Sequence, residues 1–319
     1  MTPVDLEMLR LRAALNAMVR LFFAERDVLE VETPILSQAG NTDPNIESFT
    51  TTFSGHVDAG SRTRWLRTSA EFPLKRLLAE GVGDCYELGR VFRNGEAGGR
   101  HNPEFTMLEW YRLGWDHVQL VEETVALVQR ALALVGREAQ VVSCTYRELF
   151  QQSLDLDPFA AGEAELRAAL HGIELDATGL VRDDWLDLLL THRIQPCFPA
   201  RRITVVRDWP ASQCALARIR QGDPPVAERF ELYLGQLELA NGYHELIDAA
   251  EQHERFMRDL ATRQARVAPL PPVDMRLIHA MARGIPACAG VAVGVDRLLM
   301  AMADTHRVAE ILAFDFARA

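Results

Sequence analysis

Lysine is nearly absent from this 319-residue chain: Lys75 stands alone among 34 basic side chains, and the rest are arginine. An arginine-favouring coding bias accounts for the imbalance. The five cysteines, Cys85, Cys144, Cys197, Cys214 and Cys288, are odd in number, scattered and without a CxxC pair. That argues against a disulfide framework or a zinc site and predicts reduced core residues in a cytoplasmic protein. Long apolar runs are also missing. The longest, Ile285 to Val295, contains two glycines and is about half of the roughly 18–20 residues that span a bilayer. The first residues mix Asp5, Glu7, Arg10 and Arg12 among leucines, which excludes a signal peptide. Positive charge is in deficit, with 34 basic against 45 acidic residues and a formal charge of −11. Such a balance disfavours nonspecific binding to a polyphosphate backbone.

What remains, 48% hydrophobic and 25% charged residues, is an ordinary globular composition. No repeat or low-complexity tract divides it. The opening predicts an amphipathic helix with Thr2 as N-cap, Pro3 at the first helical position and Asp5 in the first turn. Its apolar residues, Leu6, Leu9, Ala13, Val19 and Phe22, recur at roughly helical spacing, and it should end near Arg26. Asp27 to Leu36 reads as an extended segment ending at Pro34. Strands are expected around Thr50–Phe53, Arg64–Arg67, Cys85–Phe92, Thr106–Arg112, Ile203–Val206 and Arg229–Leu239. Helices are expected at His117–Val135, Ala250–Arg266, Asp274–Arg283 and Asp296–Met302. Residues 145–199 read as a helical insertion opened by a Thr145…Glu148 capping box. Most strands precede turns rather than crossover helices, so the expectation is one α+β domain, 1–319, with a mainly antiparallel sheet flanked by helices.

Three segments carry chemistry. Val91–Tyr111, VFRNGEAGGRHNPEFTMLEWY, reads as strand, glycine-bearing loop, strand. Arg93, Arg100 and His101 at the loop suit a phosphate, because a guanidinium meets phosphate oxygens with paired donors. Phe105 adds an aromatic face. The plain alternative is a solvated hairpin with charged sides. In Glu238–Ala249, ELANGYHELIDA, Glu238 and Glu245 sit on an apolar frame. Odd separations alternate faces along a strand, so Glu231 and Glu238 share one only if a turn or bulge intervenes, with Gly235 a candidate. Buried carboxylates require a cation, either Mg²⁺ arriving with a nucleotide or a substrate ammonium; a half-exposed edge strand is the alternative. Ala289–Met300, AGVAVGVDRLLM, is a small-residue strand that lets a ligand approach its backbone, with Arg297 just inside the following helix. Neither a GxGxxG nor a GxxxxGK[ST] phosphate loop is present.

Together these residues resemble the catalytic domain of class II aminoacyl-tRNA synthetases, and within them lysyl-tRNA synthetase. Asp27–Leu36 resembles the family's first motif, a dimer-interface element, Val91–Phe105 its second and Ala289–Met300 its third. The resemblance covers nearly the whole chain; RHNPEFTMLEWY and NGYHELIDA are its most specific runs. It implies the class II fold, a homodimer, and ATP and Mg²⁺ as reactants. Arg93 would bind the α-phosphate, with Asn94 and Gly95 beside it. His101, Asn102 and Phe105 would surround the nucleotide, with Phe105 and Arg297 on opposite faces of adenine. Glu231 and Glu238 would hold Mg²⁺, and the backbone at Leu239 and Gly294 would line the nucleotide site. Ser69, Ala70, Glu71, Glu109, Tyr111, Asn241, Glu245 and Ala292 would form the amino-acid pocket.

Three departures separate this chain from the full synthetases. The catalytic helix begins at once, without the preceding anticodon-binding barrel. Ala292 stands where the synthetases have glycine, and one extra methyl in a tight pocket is worth about 1–3 kcal/mol. Gly95 occupies the glutamate position of the usual Phe-Arg-x-Glu, with Glu96 following. The first two resemble the short paralogues that attach lysine, preferentially (R)-β-lysine, to translation elongation factor P. Resemblance then implies two steps: an aminoacyl-adenylate forms with loss of pyrophosphate, and a lysine ε-amine of the acceptor protein takes the acyl group. Arg93 and Arg297 would do the catalytic work on phosphate, and an enzyme of this sort gains from having few amines of its own. His244 is expected to be structural, and no general base is evident. Charging of tRNA by a truncated synthetase and a non-catalytic regulatory role are the competing readings; the charge of −11 counts against the first.

Overall fold

The computed structural model describes residues 5–319. It opens with helix α1 (Leu6–Ala24) and the short strands β1 (Leu29–Glu30), β2 (Leu36–Ser37), β3 (Thr50–Thr52) and β4 (Thr63–Leu66). Helix α2 (Glu71–Ala79) leads into a long hairpin, β5 (Cys85–Phe92) and β6 (Glu104–Leu113), followed by α3 (His117–Ala133) and β7 (Gln140–Thr145). Next come α4 (Tyr146–Leu154), α5 (Glu163–Ala169) and α6 (Arg182–Leu189), then β8 (Arg202–Pro210), β9 (Ile219–Arg220), β10 (Val226–Leu234) and β11 (Leu237–His244). Helices α7 (Ala249–Ala265) and α8 (Met275–Arg283), strand β12 (Cys288–Gly294) and helix α9 (Val295–Ala303) complete the set.

The main sheet runs β1-β5-β6-β12-β11-β10-β8-β7, with β9 paired to β10; β2, β4 and β3 form a separate small sheet. All neighbours in the main sheet are antiparallel except the outermost pairs, β1 with β5 and β7 with β8. Alternation sorts the side chains between two faces. Leu108, Trp110, Val291, Val293, Phe230 and Leu232 point to one face and pack with Leu15, Phe22, Leu127 and Leu298 from α1, α3 and α9. Burying each such side chain contributes about 1.5–3 kcal/mol. On the other face α2, α7 and α8 cover only one end, through Leu74, Phe256 and Leu277 packed around Tyr111 and Cys288. The middle stays open as a cleft.

One buried carboxylate ties three segments together. Asp296 Oδ1 accepts from Arg12 Nη2 of α1 at 2.5 Å, and Oδ2 accepts the Thr106 backbone N–H of β6 at 3.0 Å. Helix α9 is thereby fixed against both, and Arg297, the next residue, inherits that placement.

Several expectations need correction. The N-cap of α1 is Asp5, whose carboxylate accepts from the N–H groups of Glu7 and Met8; Thr2 and Pro3 lie outside the described residues. The buried stripe of α1 is Leu15, Met18, Val19, Phe22 and Phe23, and Leu6 and Leu9 face outward. The stretch 229–239 is the end of one strand and the start of another, because Gly235 at φ 55° turns the chain back. Strand β7 was not anticipated. The Thr145…Glu148 capping box is present at α4, with both reciprocal bonds formed. The helices of 146–189 pack their own apolar cluster, including Tyr146, Leu186 and Leu189, onto Trp209 and Tyr233 of the sheet. All five cysteines are free, and Cys197 is exposed rather than in the core. No described helix is long and apolar enough to cross a membrane.

Candidate active site

The cleft has a volume of about 1350 Å³, room for more than one small ligand by the usual range of binding pockets. Its floor is two rows of side chains running across the strands. Glu87 and Glu109 pair across β5 and β6, Glu109 with Ala292, Ala292 with Asn241 and Asn241 with Glu231. One register step away, Tyr111, Gly290, Tyr243 and Arg229 form the second row. A Cβ at Gly290 would lie 2.3 Å from the Tyr111 ring and 2.5 Å from Glu245 Oε1. Only glycine leaves both in place.

The β10–β11 hairpin resolves the Glu231–Glu238 problem. Tyr233 pairs with Glu238, whereas Leu232 pairs with Ala240, so one extra residue, Leu239, bulges between them. A bulge shifts the alternation by one, and with the turn at Gly235 it puts Glu238 on the face of Glu231. Glu231 is buried; it accepts from Arg229 Nη2 at 2.5 Å and from the Tyr233 hydroxyl. Burial, with Glu238 adding to it, pushes its carboxyl up to about 7. Glu238 accepts from Arg297 Nη1 at 3.2 Å. Two hard oxygen donors on one face, one of them reluctant to ionise, fit a divalent cation such as Mg²⁺. Among the described residues, His117, Glu228 and His244 also cluster closely. None of these three lines the cleft, and Arg220 and His244 already occupy the two Glu228 oxygens.

The guanidinium groups stand along one wall. Arg93 follows β5, lies 5.3 Å from the Phe105 ring centroid and has Glu96 Oε1 at 3.7 Å. Arg297 donates to the Glu238 carbonyl at 3.0 Å, and its Nη2 lies 2.6 Å from His101 Nε2. Partial desolvation, then Arg297 itself, holds His101 below the usual imidazole range. A neutral ring accepts that bond.

At the other end Glu71, Glu109 and Glu245 converge. Glu109 accepts from the Ser69 hydroxyl at 2.9 Å and the Ala70 N–H at 2.7 Å. Burial pushes it up to about 7 and Glu245 up to about 8. Glu245 Oε2 meets the Lys75 ammonium at 2.6 Å, and its Oε1 has no hydrogen-bond partner. Several acidic groups with spare acceptor capacity suit a ligand bearing more than one ammonium.

Most of the predicted site residues line this cleft: Arg93, His101, Asn102, Phe105, Glu231, Glu238, Leu239, Gly294 and Arg297 at one end. Ser69, Glu71, Glu109, Tyr111, Asn241, Glu245 and Ala292 line the other. Three do not. Ala70 packs its side chain into the apolar cluster under α2 and offers the site only its N–H, to Glu109. Asn94 and Gly95 are exposed at the hairpin loop: Asn94 donates its N–H to Glu47, and Gly95 has φ 82°, a value that favours glycine there. Asn102 reaches the rim, but its amide spans the Glu104 carbonyl and the Phe316 N–H. His244 is bound to Glu228 at 2.7 Å, as expected of a structural histidine. Sequence reasoning missed Lys75, although a lone lysine four residues after Glu71 on a helix was a readable ion-pair signal. It also missed Arg229, whose guanidinium pairs with the buried Glu231 and partly offsets the cost of its burial.

The sequence matches the family model of class II tRNA synthetases (D, K and N) over residues 1–318. The chain belongs to that family. Membership in this synthetase family makes it an ATP-dependent ligase and implies use of a divalent metal. It is 45% identical over 311 residues to a Yersinia enterocolitica protein, covering 97% of this chain and 94% of that one. A Mannheimia succiniciproducens protein is 47% identical over 305 residues, with coverage of 95% and 93%. A Salmonella gallinarum protein is 45% identical over 311 residues, again at 97% and 94%. Each of the three is named elongation factor P–(R)-β-lysine ligase.

The raised carboxyls set a pH dependence. Glu109, Glu231 and Glu245 keep protons in the folded state that an unfolded chain releases above its ordinary value of 4.5. Folded protein therefore binds more protons than unfolded across roughly pH 5–8, and ligand-free stability falls as pH rises through that window. A diammonium ligand favours the ionised forms, so its stabilisation should grow over the same range. Melting temperatures measured with and without lysine across this window check it; a ligand shift largest at the acid end would contradict the acidic cage.

Proposed function

We propose that the protein activates (R)-β-lysine, or lysine, with ATP and transfers it to the ε-amine of a lysine on translation elongation factor P. The observation that carries this reading is the cleft itself: arginines for a triphosphate at one end and converging carboxylates with spare acceptor capacity for a diamine at the other, on one sheet face. The names of the relatives support the acceptor and the β-amino substrate.

The substrate carboxylate attacks the α-phosphorus of ATP, pyrophosphate leaves, and an aminoacyl-adenylate remains. Arg93, aligned over Phe105, meets the charge that grows on the phosphoryl oxygens, and no side-chain nucleophile is required. Arg297 holds the far side of the nucleotide, positioned through Asp296. Glu231 and Glu238 would hold Mg²⁺, which neutralises phosphate charge when bound. The diamino acid sits with its ammonium groups among Glu71, Glu109 and Glu245, and Ala292, between Glu109 and Asn241, limits where the backbone amine can go. The acceptor ε-amine then attacks the adenylate carbonyl, an amide forms, AMP departs and the amine loses its proton. A homodimer is part of this reading; the exposed Leu6, Leu29, Ile35 and Leu36 give the N-terminal segment an apolar face for it.

The direct test is the intact mass of elongation factor P after incubation with the protein, ATP, Mg²⁺ and each lysine isomer. A mass gain of one lysyl unit is expected, with the fraction of factor modified highest for (R)-β-lysine. Efficient charging of tRNA(Lys) with no change in the factor would favour a truncated synthetase, and absent lysine-dependent pyrophosphate exchange would favour a regulatory protein. Within that assay, Arg93→Ala removes a charge-assisted contact of about 1.5–3 kcal/mol and should slow exchange by roughly one to two decades; a wild-type rate would refute its role. Ala292→Gly should relax selection towards α-lysine, read as the ratio of kcat/KM values for the two isomers. An unchanged ratio would defeat the steric argument.

A further inference from the structure

The only lysine of the chain is not on the surface but buried behind the diamine pocket, against two of its carboxylates. Lys75 lies on α2 with no exposure to solvent. Its Nζ stands 2.6 Å from Glu71 Oε1, one turn earlier on the same helix, and 2.6 Å from Glu245 Oε2, just past the end of β11. An ammonium in the core is tolerated only where carboxylates surround it. Its presence changes what the pocket can hold, because two of the three carboxylates assigned to the substrate already share a cation.

The charge count is informative. Glu71, Glu109 and Glu245 bring three negative charges when ionised, and Lys75 returns one positive charge. Arg67, whose guanidinium also acts on Glu109, is bound to Glu87 at 2.7 Å and is balanced there. The remaining groups that face this cluster are neutral: Tyr111 of β6, Tyr243 of β11, and Cys288 and Cys85 of β12 and β5, all with protons held above their usual ranges by burial. From α7, Arg255 is turned away onto Glu251 and the carbonyls of Ala215 and Ala217. With all three ionised, the state that a bound diammonium ligand favours, two net negative charges remain. With the substrate carboxylate turned to the nucleotide end, that equals the two ammonium groups of a diamino acid and exceeds what an amino acid with one amine can neutralise.

We propose that Lys75 is a positioning residue for substrate recognition: its ammonium clamps Glu71 to Glu245 and sets the pocket charge at the value that a diamine cancels. The inference rests on the functional reading above and adds to it the device that fixes the charge. Without the ammonium, Glu71 and Glu245 would face each other as like charges, and the proton held there would persist to higher pH than in the intact pocket. The pocket would then present fewer acceptors at neutral pH, and one carboxylate too many in alkali.

A single lysine makes this testable in the wild-type protein. Incorporation of lysine labelled with ¹³C at Cε yields one side-chain resonance, that of Lys75. It should stay in its charged position beyond the ordinary lysine value of about 10.4, and move when saturating unlabelled lysine is added. Titration at or below that value overturns the proposal whatever the substrate is. Absence of lysine-dependent pyrophosphate exchange in the same wild-type sample overturns the functional reading instead, and this proposal with it. The second arm is Lys75→Met, followed as KM for lysine against pH. A rise of about tenfold near neutrality, the equivalent of one unit of carboxyl pKa, is expected to shrink in alkali while KM for ATP stays as in the wild type. Parallel pH profiles for variant and wild type, with the fold intact, would refute the role; if the variant does not fold, the resonance decides alone.

Discussion

A carboxylate on the floor of a protein cleft must have a cation or a set of donors beside it, and this molecule is organised around meeting that demand five times on one sheet face. Glu87 is met by Arg67, Glu231 by Arg229 and Tyr233, and Glu238 by Arg297. Ser69 and Ala70 hold Glu109, and Lys75 holds Glu245. None of these arrangements is a stability device in the simple sense, since replacing a buried ion pair by packed hydrocarbon is often neutral or better. They keep charge in place where a charged ligand will arrive. The opposite face of the same strands is filled with Leu, Val, Phe and Trp under α1, α3 and α9, and that packing lets the charged face stay open.

The two ends of the cleft are matched to opposite charges. Guanidinium groups stand at the hairpin loop and at the start of α9; carboxylates converge where α2 crosses the sheet. Cross-strand pairing fixes their separation, because neighbouring strands in a ladder lie about 4.8 Å apart and the row from Glu109 to Glu231 takes three such steps. Asp296 reinforces this frame from behind by joining α1, β6 and α9.

How much of this was legible in the sequence depended on whether the information was local. The capping box at Thr145, the β5–β6 hairpin and the helix after Asp116 are written in adjacent residues, and they stand where they were expected. The partners of Glu109 could be placed only by family likeness, since Ser69 and Ala70 are 40 and 39 residues away in the chain. The common face of Glu231 and Glu238 could be posed as a condition but not resolved, because the bulge at Leu239 exists only in the pairing with β10. The start of α1 was misread because Thr2-Pro3 is as good a local cap signal as Asp5. Ala70 was assigned to the pocket by its neighbours in sequence, whereas the helix turns its methyl group into the core.

One consequence follows from where the lone lysine sits. Side-chain acetylation, and every other modification that needs an accessible ε-amine, has nothing to act on in a chain whose single candidate is sealed on the inner side of α2. Control of this enzyme by such marks is closed off by its own architecture, even though placing an acyl group on an amine is the reaction proposed for it.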